Sequence, residues 1–445
     1  MKTPFAWKTR YTILAIVFSG FTVSFVNRIS MSVVMPYVAE DLHLSMAVMG
    51  IVLSAFFGGY TVSQIPGGML ADKFGSRKIM TISLIWWSIF TAITGAVGTL
   101  GQLLWTRLIF GFGEGLYLGG STKTVSVWFP RRERAAAMAI KLTSNSLGTA
   151  ITPPIVVAIM AVWGWRTVFY CLLLPGVIMA LITWMFVRDK PSESKIISQE
   201  EIDEIERDEI TGNYKVSASA GILDVMKSGA VWKIFAIIFF FDITLWGFIS
   251  WLPSYLIKAR GLTMAQMGIV ASFPFIAGTI GMLFGGWASE RYFANNRKLL
   301  VIILELGGAI SIYLMSSVGS VNEAIIYQTI AGWFLWAVIG AFWSLPMNII
   351  PPSVMGTGSA FVNTGAQLAA FLSPMIVGFA VQAFGGSFDV AFLILTGASV
   401  ISALIALTIK ADGAQAAAGK MTRTNCSLPG AVVDSELDCE ARTRF

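Results

Sequence analysis

The chain has very few of the side chains on which most enzymes and metalloproteins depend. Among its 445 residues are one histidine, His43, and three cysteines, Cys171, Cys426 and Cys439, without CxxC spacing. The residues needed for a histidine-based catalytic triad or metal site are therefore nearly absent, and the cysteine spacing indicates neither a disulfide framework nor a zinc site. We expect no enzymatic activity, no cofactor and no bound metal.

Charged residues are scarce as well. They make up 13% of the chain, whereas an ordinary soluble domain has about 25%. Hydrophobic residues make up 56%, and the mean hydropathy is +0.73. The apolar segments are long and continuous rather than short and alternating, which favours helices over a membrane barrel. These features indicate an all-α membrane protein whose helices lie in a lipid bilayer.

Windows of about 20 apolar residues predict twelve transmembrane helices. The first window continues to about Tyr37, which is too long for a cleaved signal peptide. The predicted spans lie at roughly 11–37, 46–70, 79–97, 101–124, 136–160, 167–187, 231–257, 265–288, 299–317, 322–347, 357–382 and 387–409.

The spans fall into two groups of six, separated by a polar stretch. Within that stretch, Ser198 and Glu201 fit a capping box ahead of an acidic run, which predicts a short surface helix. The predicted organisation is an N-terminal six-helix bundle (1–190), a cytoplasmic linker (191–230), a C-terminal six-helix bundle (231–410) and a disordered cytoplasmic tail (411–445).

The positive charges are distributed unequally between the two sides of the predicted membrane. Most of the 31 Lys and Arg residues lie on the side of the N-terminus, whereas the opposite side has only Arg166, Lys258 and Arg260. By the positive-inside rule, this places both termini in the cytoplasm. The pI near 9.2 therefore reflects membrane topology rather than nucleic-acid binding.

The two groups of spans carry a repeated loop. Gly68 is followed by Asp72 and a basic cluster after the second span, and Gly286 is followed by Glu290 and basic residues after the eighth. Internal repeats of six spans are typical of transporters, with the substrate near the midplane between the halves.

These loops, at these places in a twelve-span chain, resemble the signature loops of the major facilitator superfamily. More narrowly, Asn27-Arg28, the segment from Arg107 to Glu114, the Trp128-Phe129-Pro130 segment and Gly164-Trp165-Arg166 resemble its anion:cation symporter branch. That branch includes hexonate, hexuronate and aromatic-acid permeases and vesicular glutamate carriers. The resemblance implies two pseudo-symmetric six-helix bundles and carboxylate transport. It also implies that four loop residues latch the inward gate in the outward-facing state: Asp72, Arg77, Glu290 and Arg291.

Three charged residues, Arg28, Arg107 and Glu114, lie within predicted spans, where charges are costly and usually functional. Arg107 and Glu114 are two helical turns apart and face the same direction, but they are too distant for direct contact in a straight helix. Each therefore needs a partner from another helix, from water or from substrate, and Arg28 is a candidate. The resemblance implies that Arg28 binds the substrate carboxylate; the alternative is a structural ion pair with Glu114. Arg107 either orients the acid or binds the anion.

Glu114 is the candidate proton carrier by the same resemblance, and permanent ionisation beside the arginines is the alternative. Many members of the branch have an acid immediately before the first-span arginine, whereas this chain has Asn27. Asp242, about ten residues into the seventh span, is a substitute candidate for proton coupling or for binding a substrate hydroxyl. Its alternative is pairing with a neighbouring helix.

Further polar and aromatic residues are candidates for the wall of the substrate cavity. Interhelical hydrogen bonding competes with substrate binding for the polar ones, and packing competes for the aromatic ones. The candidates are Asn145, Asn363, Gln367, Tyr37, Tyr60 and Trp343.

Together these observations predict a monomeric secondary transporter of a bacterial inner membrane. It would import a small organic carboxylate, such as a sugar acid, dicarboxylate or aromatic acid, with protons by alternating access. Sodium coupling or anion exchange is the alternative within transport, and a non-transporting membrane ligand sensor is the alternative from another class.

Overall fold

The computed structural model describes residues 7–210, 228–294, 296–350 and 355–409, and within these ranges the regular structure is helical. The predicted tail, 411–445, lies outside the described residues.

The first half of the chain forms six α-helices and one short 3-10 helix. Their bounds are α1 Thr9–Asp41, α2 Met46–Phe74, α3 Ser76–Ala96, α4 Leu100–Trp128, α5 Arg131–Phe186, the 3-10 helix Pro191–Glu193 and α6 Gln199–Ile210.

The second half forms eight α-helices within its described ranges. Their bounds are α7 Gly229–Lys258, α8 Met264–Val270, α9 Phe273–Arg291, α10 Arg297–Ser317, α11 Val321–Phe342, α12 Ser344–Ile349, α13 Met355–Ala383 and α14 Asp389–Leu407.

The long apolar helices account for twelve membrane crossings, as the hydropathy pattern predicts; α6 and the 3-10 helix belong to the linker. Ten described segments are long and apolar enough to cross a membrane by length and composition. The 56-residue α5 holds two crossings, because its backbone leaves the helical conformation at Gly164 with φ of 79°. The twelfth crossing is α4, whose hydropathy is lowered by Arg107, Glu114 and Lys123.

Two predicted spans are interrupted rather than continuous. The eighth is divided into α8 and α9 next to Pro274, and the tenth into α11 and α12 close to Pro346. Proline lacks the backbone N–H that a helix interior needs, and it is tolerated in the first turn of a new helix.

The two halves repeat one packing scheme. In the first half, α1 packs on α5, α2 packs on α4, and α3 packs on both α4 and α5. In the second half, α7 packs on α13, α9 packs on α11, and α10 packs on both α11 and α14. These pairs occupy equivalent places in the order of the spans, so the arrangement is pseudo-symmetric.

The halves meet towards one face of the bundle. We call the helix ends at Thr9, Phe74, Trp128 and Arg291 the basic side and the ends at Asp41 and Met46 the opposite side. At the opposite side a side chain on Gly50 of α2 would lie 2.5 Å from the carbonyl oxygen of Pro374 of α13, so only glycine permits this approach. The Ala47 N–H donates to Gln382 Oε1 at 3.0 Å nearby.

Candidate functional site

The centre of the first half contains an ion pair between α1 and α4. The Arg28 Nε donates to Glu114 Oε1 at 3.0 Å, and the Arg28 Nη2 donates to the same oxygen. The Ser24 hydroxyl also donates to that oxygen, at 2.7 Å. Both charged side chains are buried. Glu114 therefore has its partner on another helix, as the spacing within α4 requires.

Close packing of α2 against α4 fixes the position of the acid. A side chain on Gly111 of α4 would lie 2.0 Å from the carbonyl oxygen of Phe56 of α2. Small residues of this kind let membrane helices approach each other closely. Gly111 lies one turn before Glu114, so the contact holds this part of α4 beside α2.

Aromatic rings surround the Arg28 guanidinium. Its Cζ lies 4.5 Å from the ring centre of Phe25, 4.7 Å from Phe56 and 4.6 Å from Tyr60. Trp246 of α7, at 5.7 Å, adds a ring from the second half of the chain. Cations are attracted to ring faces, most strongly where water is excluded. Of these residues the sequence identified only Tyr60, although Phe25 lies one helical turn before Arg28.

Arg107 is buried and shares the Phe56 ring with Arg28, but no carboxylate of the described residues is hydrogen-bonded to it. Its Cζ lies 4.5 Å from the ring centre of Phe110 and 5.5 Å from that of Phe56. Its Nε has no hydrogen-bond partner among the residues that the structure describes. Arg28 and Arg107 line one small cavity, whose wall also includes Ile29, Ser32, Leu53, Phe57, Trp246 and Ser250.

Two nearby polar residues, Asn27 and Asp242, bear on proton coupling, and neither forms an ion pair with another helix in the described part of the chain. The Asn27 amide donates to the carbonyl oxygen of Val23 in its own helix at 2.9 Å. Asp242 is buried on α7, one turn from Trp246, and its Oδ1 has no hydrogen-bond partner. Within the described ranges no neighbouring helix supplies an ion-pair partner for Asp242.

The other candidate wall residues occupy several places. The Asn363 Nδ2 donates to Gln64 Oε1 at 3.3 Å, which connects α13 to α2. Asn145 and Gln367 are half-buried. Tyr37 lines a different cavity near the opposite side, and Trp343 lies at the basic-side end of α11. The structure thus gathers Tyr60 with the charged trio but not Tyr37 or Trp343.

The four signature-loop residues lie at the basic side. Asp72 is exposed and has Lys123 Nζ 3.2 Å from its Oδ1. The Arg77 Nε donates to the carbonyl oxygen of Trp184 at 2.8 Å. Glu290 and Arg291 are exposed at the end of α9.

A second ionic cluster, which sequence reasoning missed, joins α6 to α1 and α5 at the basic side. Arg10 is fully buried and donates to Glu204 at 2.9 Å and to Glu133 at 2.9 Å. The hydrogen bond from Arg10 and the one from Lys8 lower the pKa of Glu204 to about 2. The cluster attaches α6 to the first half.

Two more buried charges lie in predicted spans, Lys141 of α5 and Glu305 of α10. Lys141 is 1% exposed and Glu305 is fully buried. The Ser402 hydroxyl donates to Glu305 Oε1 at 2.8 Å. Both could have been found with the criterion that identified Arg28, namely a charge within an apolar window.

Known proteins resemble the chain over most of its length. The "Probable sulfoacetate transporter" of Cupriavidus necator is 31% identical over 90% of this chain and 94% of its own. The "Hexuronate transporter" of Bacillus subtilis is 26% identical over 89% and 94%. A "Probable galactarate/D-glucarate transporter" of Escherichia coli is 29% identical over 89% and 93%.

Solved structures share the fold. A bacterial homologue of the human lysosomal transporter Spinster, inward-facing and unoccupied, matches with a TM-score of 0.72 and 18% identity over 90% of this chain and 95% of its own. A D-xylose-proton symporter matches with a TM-score of 0.70 and 16% identity over 91% and 99%.

The family model described as the Major Facilitator Superfamily matches residues 16–374. This match covers most of the chain and includes both members of the Arg28–Glu114 pair. The chain therefore belongs to the major facilitator superfamily, and its relatives there are transporters of organic anions.

Proposed function

We propose that the protein imports a small organic anion together with protons. The observation that carries this proposal is the excess of positive charge in the buried site. Arg28 and Arg107 line one cavity, and Glu114 is the only acid bonded to either of them within the described residues. An organic anion would balance the remaining charge, and a guanidinium suits a carboxylate because its donors form a planar fork.

Competition for Arg28 would couple the anion to the proton. A substrate carboxylate that binds Arg28 takes hydrogen bonds that Glu114 now accepts. An isolated carboxylate in an apolar site favours its protonated form. Glu114 would therefore take up a proton when substrate binds, and release it when substrate leaves and the Arg28–Glu114 pair forms again.

Further roles follow from position. Asp242 would be a second coupling group or bind a substrate hydroxyl, since its buried Oδ1 has no partner in the described part of the chain. Asn145, Asn363 and Gln367 would contact substrate in other states of the cycle. Asp72, Arg77, Glu290 and Arg291 would latch the basic side when the transporter faces outward.

The charge distribution supports an orientation in a bacterial inner membrane with both termini in the cytoplasm. The opposite side would then be the outer side, where Gly50 and Gln382 hold the halves together. In this arrangement a monomeric transporter would release its substrate towards the cytoplasm.

Sodium coupling or plain anion exchange is the second candidate. It is favoured by Asn27, which places a neutral amide, bonded to its own helix, where many members of the branch have an acid.

Counterflow and uptake in proteoliposomes test these alternatives. We would load vesicles with each of a panel of carboxylates (uronates, aldonates, aldarates, aromatic acids), then measure uptake with and without an inward proton gradient. Proton symport predicts accumulation that a protonophore abolishes. Gradient-independent counterflow alone would support exchange, accumulation that needs an inward sodium gradient would support sodium coupling, and no counterflow of any carboxylate would overturn the proposed substrate class.

A further inference from the structure

Lys141 is a buried cation that the mechanism above does not use. It lies on α5 with 1% of its surface exposed. Its Nζ donates to the hydroxyl of Thr122 of α4 at 3.0 Å and lies 4.5 Å from the ring centre of Phe21 of α1. Neither group carries negative charge. Within the described ranges the ammonium has no carboxylate partner.

Two other buried cations of this half, Arg10 and Arg28, show what is missing at Lys141. Arg10 bonds Glu133 and Glu204, and Arg28 bonds Glu114. A buried ammonium offers three hydrogen-bond donors, and Lys141 uses one of them, on a neutral hydroxyl. Buried charges are ordinarily paired, because the free-energy cost of removing a charge from water exceeds the stabilisation that one hydroxyl and one ring face provide. Burial by itself favours the neutral amine, and an arriving anion favours the ammonium, so the position fits a side chain whose counter-ion comes from outside the chain.

Lys141 lies in line with Arg28 along one face of α1. Phe21 and Phe25 are four residues apart, hence on the same face and about 6 Å apart along the axis. Lys141 lies over the first ring and Arg28 over the second, each at 4.5 Å. The two cations thus follow each other along the helix, with Lys141 nearer the basic side.

The groups between these cations are polar and incompletely bonded. The Ser24 hydroxyl lies on the same face of α1 and bonds Glu114, whose Oε2 has no partner. Asn145 is one helical turn from Lys141 on α5, and its Oδ1 is buried without a partner. A chain of hydroxyl-bearing carbons would find hydrogen-bonding groups along this path.

We propose that Lys141 binds the second acidic group of a dianionic substrate whose first carboxylate binds Arg28 and Arg107. This inference rests on the proposed organic-anion transport. Three cations and one ionised acid leave two positive charges, and three remain once Glu114 has taken up its proton, so a dianion offsets more of the site's charge than a monoanion does. In a six-carbon diacid the carboxyl carbons are separated by five bonds of about 1.5 Å, so the extended molecule spans about one helical turn.

The test compares two substrates that share a carbon skeleton and differ in one charge. Galactarate has a carboxylate at each end, and galactonate has only one. In proteoliposomes we would follow uptake of a labelled substrate, either galactarate or galactonate, and add the unlabelled anions as competitors. The measured quantity is the competitor concentration that halves uptake. It is compared between the wild-type protein, Lys141→Met and Lys141→Arg. Lys233→Met is the matched control, because Lys233 is exposed and its Nζ donates to the carbonyl oxygen of Thr408 at the end of α14, away from the cavity and from the loop residues.

The proposal predicts that Lys141→Met weakens galactarate binding about tenfold or more, which is the range expected for loss of one charge-assisted contact. Galactonate should change less than about twofold on the same scale, and Lys141→Arg should keep the preference for galactarate. An equal loss of affinity for both substrates, or no loss for either, would overturn the proposal.

Retained galactonate uptake also shows that the variant is folded; if the Lys141→Met protein does not accumulate, Lys141→Gln undergoes the same comparison. A wild-type protein that transports neither anion but exchanges another carboxylate of the counterflow panel would overturn this inference and leave the proposed function standing. A protein that exchanges no carboxylate of the panel would refute both.

Discussion

The two halves of the protein share a helix-packing scheme but not their buried charges. In the first half, the described buried cations include Arg28, Arg107 and Lys141, together with the acid Glu114. In the second half, the buried charged groups of the described residues are two acids, Asp242 and Glu305. The repeat therefore preserves the helix contacts that build the bundle, while the buried cations of the described residues lie in one half.

The second half contributes shape to the site rather than positive charge. Trp246 packs edge-on against Phe57 of α2, with ring centres 4.8 Å apart, and lies over Arg28. Ser250, one turn further along α7, lines the same cavity. A substrate held by the first half would thus be covered by the second, so movement of α7 relative to α1 would expose or enclose it.

The largest expected effect tests whether anion binding depends on the first half. Arg28→Lys should reduce uptake by about 100-fold or more, because an ammonium cannot reproduce the planar fork of the guanidinium. The measurement is the initial rate of uptake in proteoliposomes. Arg260→Lys is the matched change in the second half, where Arg260 bonds backbone carbonyls at the end of α10. It should leave the half-saturating concentration unchanged; an equal loss in both variants would contradict the asymmetry.

The next effect distinguishes the buried acid Glu114 of the first half from the buried acid Glu305 of the second. Glu114→Gln should abolish proton-driven accumulation while sparing substrate exchange, because the amide cannot carry a proton through the cycle. Uptake and counterflow measured on the same vesicles separate the two activities. Glu305→Gln should retain gradient-driven uptake, since Glu305 bonds Ser402 of α14 away from the cavity. Persistent dependence on the pH gradient in Glu114→Gln would show that another group carries the proton.

A smaller effect is expected at Asp242, the acid that lies on the same helix as Trp246. Asp242→Asn should lower the number of protons moved per substrate, or lower the rate a few-fold, as loss of one buried polar contact does. The ratio is measured from parallel proton and substrate fluxes. Asp389→Asn, at the first residue of α14, is the control. An unchanged ratio of protons to substrate would eliminate the coupling role. The hydroxyl-binding role would then be tested by competition between substrates.

The smallest effect concerns the linker helix, which is attached to the first half. Glu204→Gln should lower the thermal unfolding temperature slightly at pH 7, because Lys8 and Arg10 lose a carboxylate that remains partly exposed. Folding lowers the pKa of this group from 4.5 to about 2, so its stabilisation is complete above pH 4.5 and declines as the pH falls towards 2. The difference between wild type and variant should shrink in the same window. A difference that grows on acidification would contradict this account.

Parts of the fold and site were predictable because their causes are local. Hydropathy predicted all twelve crossings, and the i, i+7 spacing within α4 predicted that Glu114 needs a partner from another helix. The Ser198 pattern predicted α6, and the Glu201 N–H does donate to Ser198 Oγ at 3.3 Å. The Glu201 carboxylate, however, accepts from the Thr9 and Arg10 N–H groups at the start of α1, because tertiary packing brings those unpaired donors to it.

The sequence by itself determined the membrane class, the spans and which charged residues lie within them. These follow from the free energy of transferring each side chain from water to lipid, which is a property of the individual residue. Only the tertiary structure decided which partner each charge meets. Arg28 lies between Glu114 of α4 and rings of its own helix, α2 and α7, and close contacts between α2 and α4 hold the two α2 rings beside the acid. Lys141 meets only a hydroxyl and a ring. The pairing of charges depends on the distances between helices, and the spacing of residues along one helix does not predict those distances.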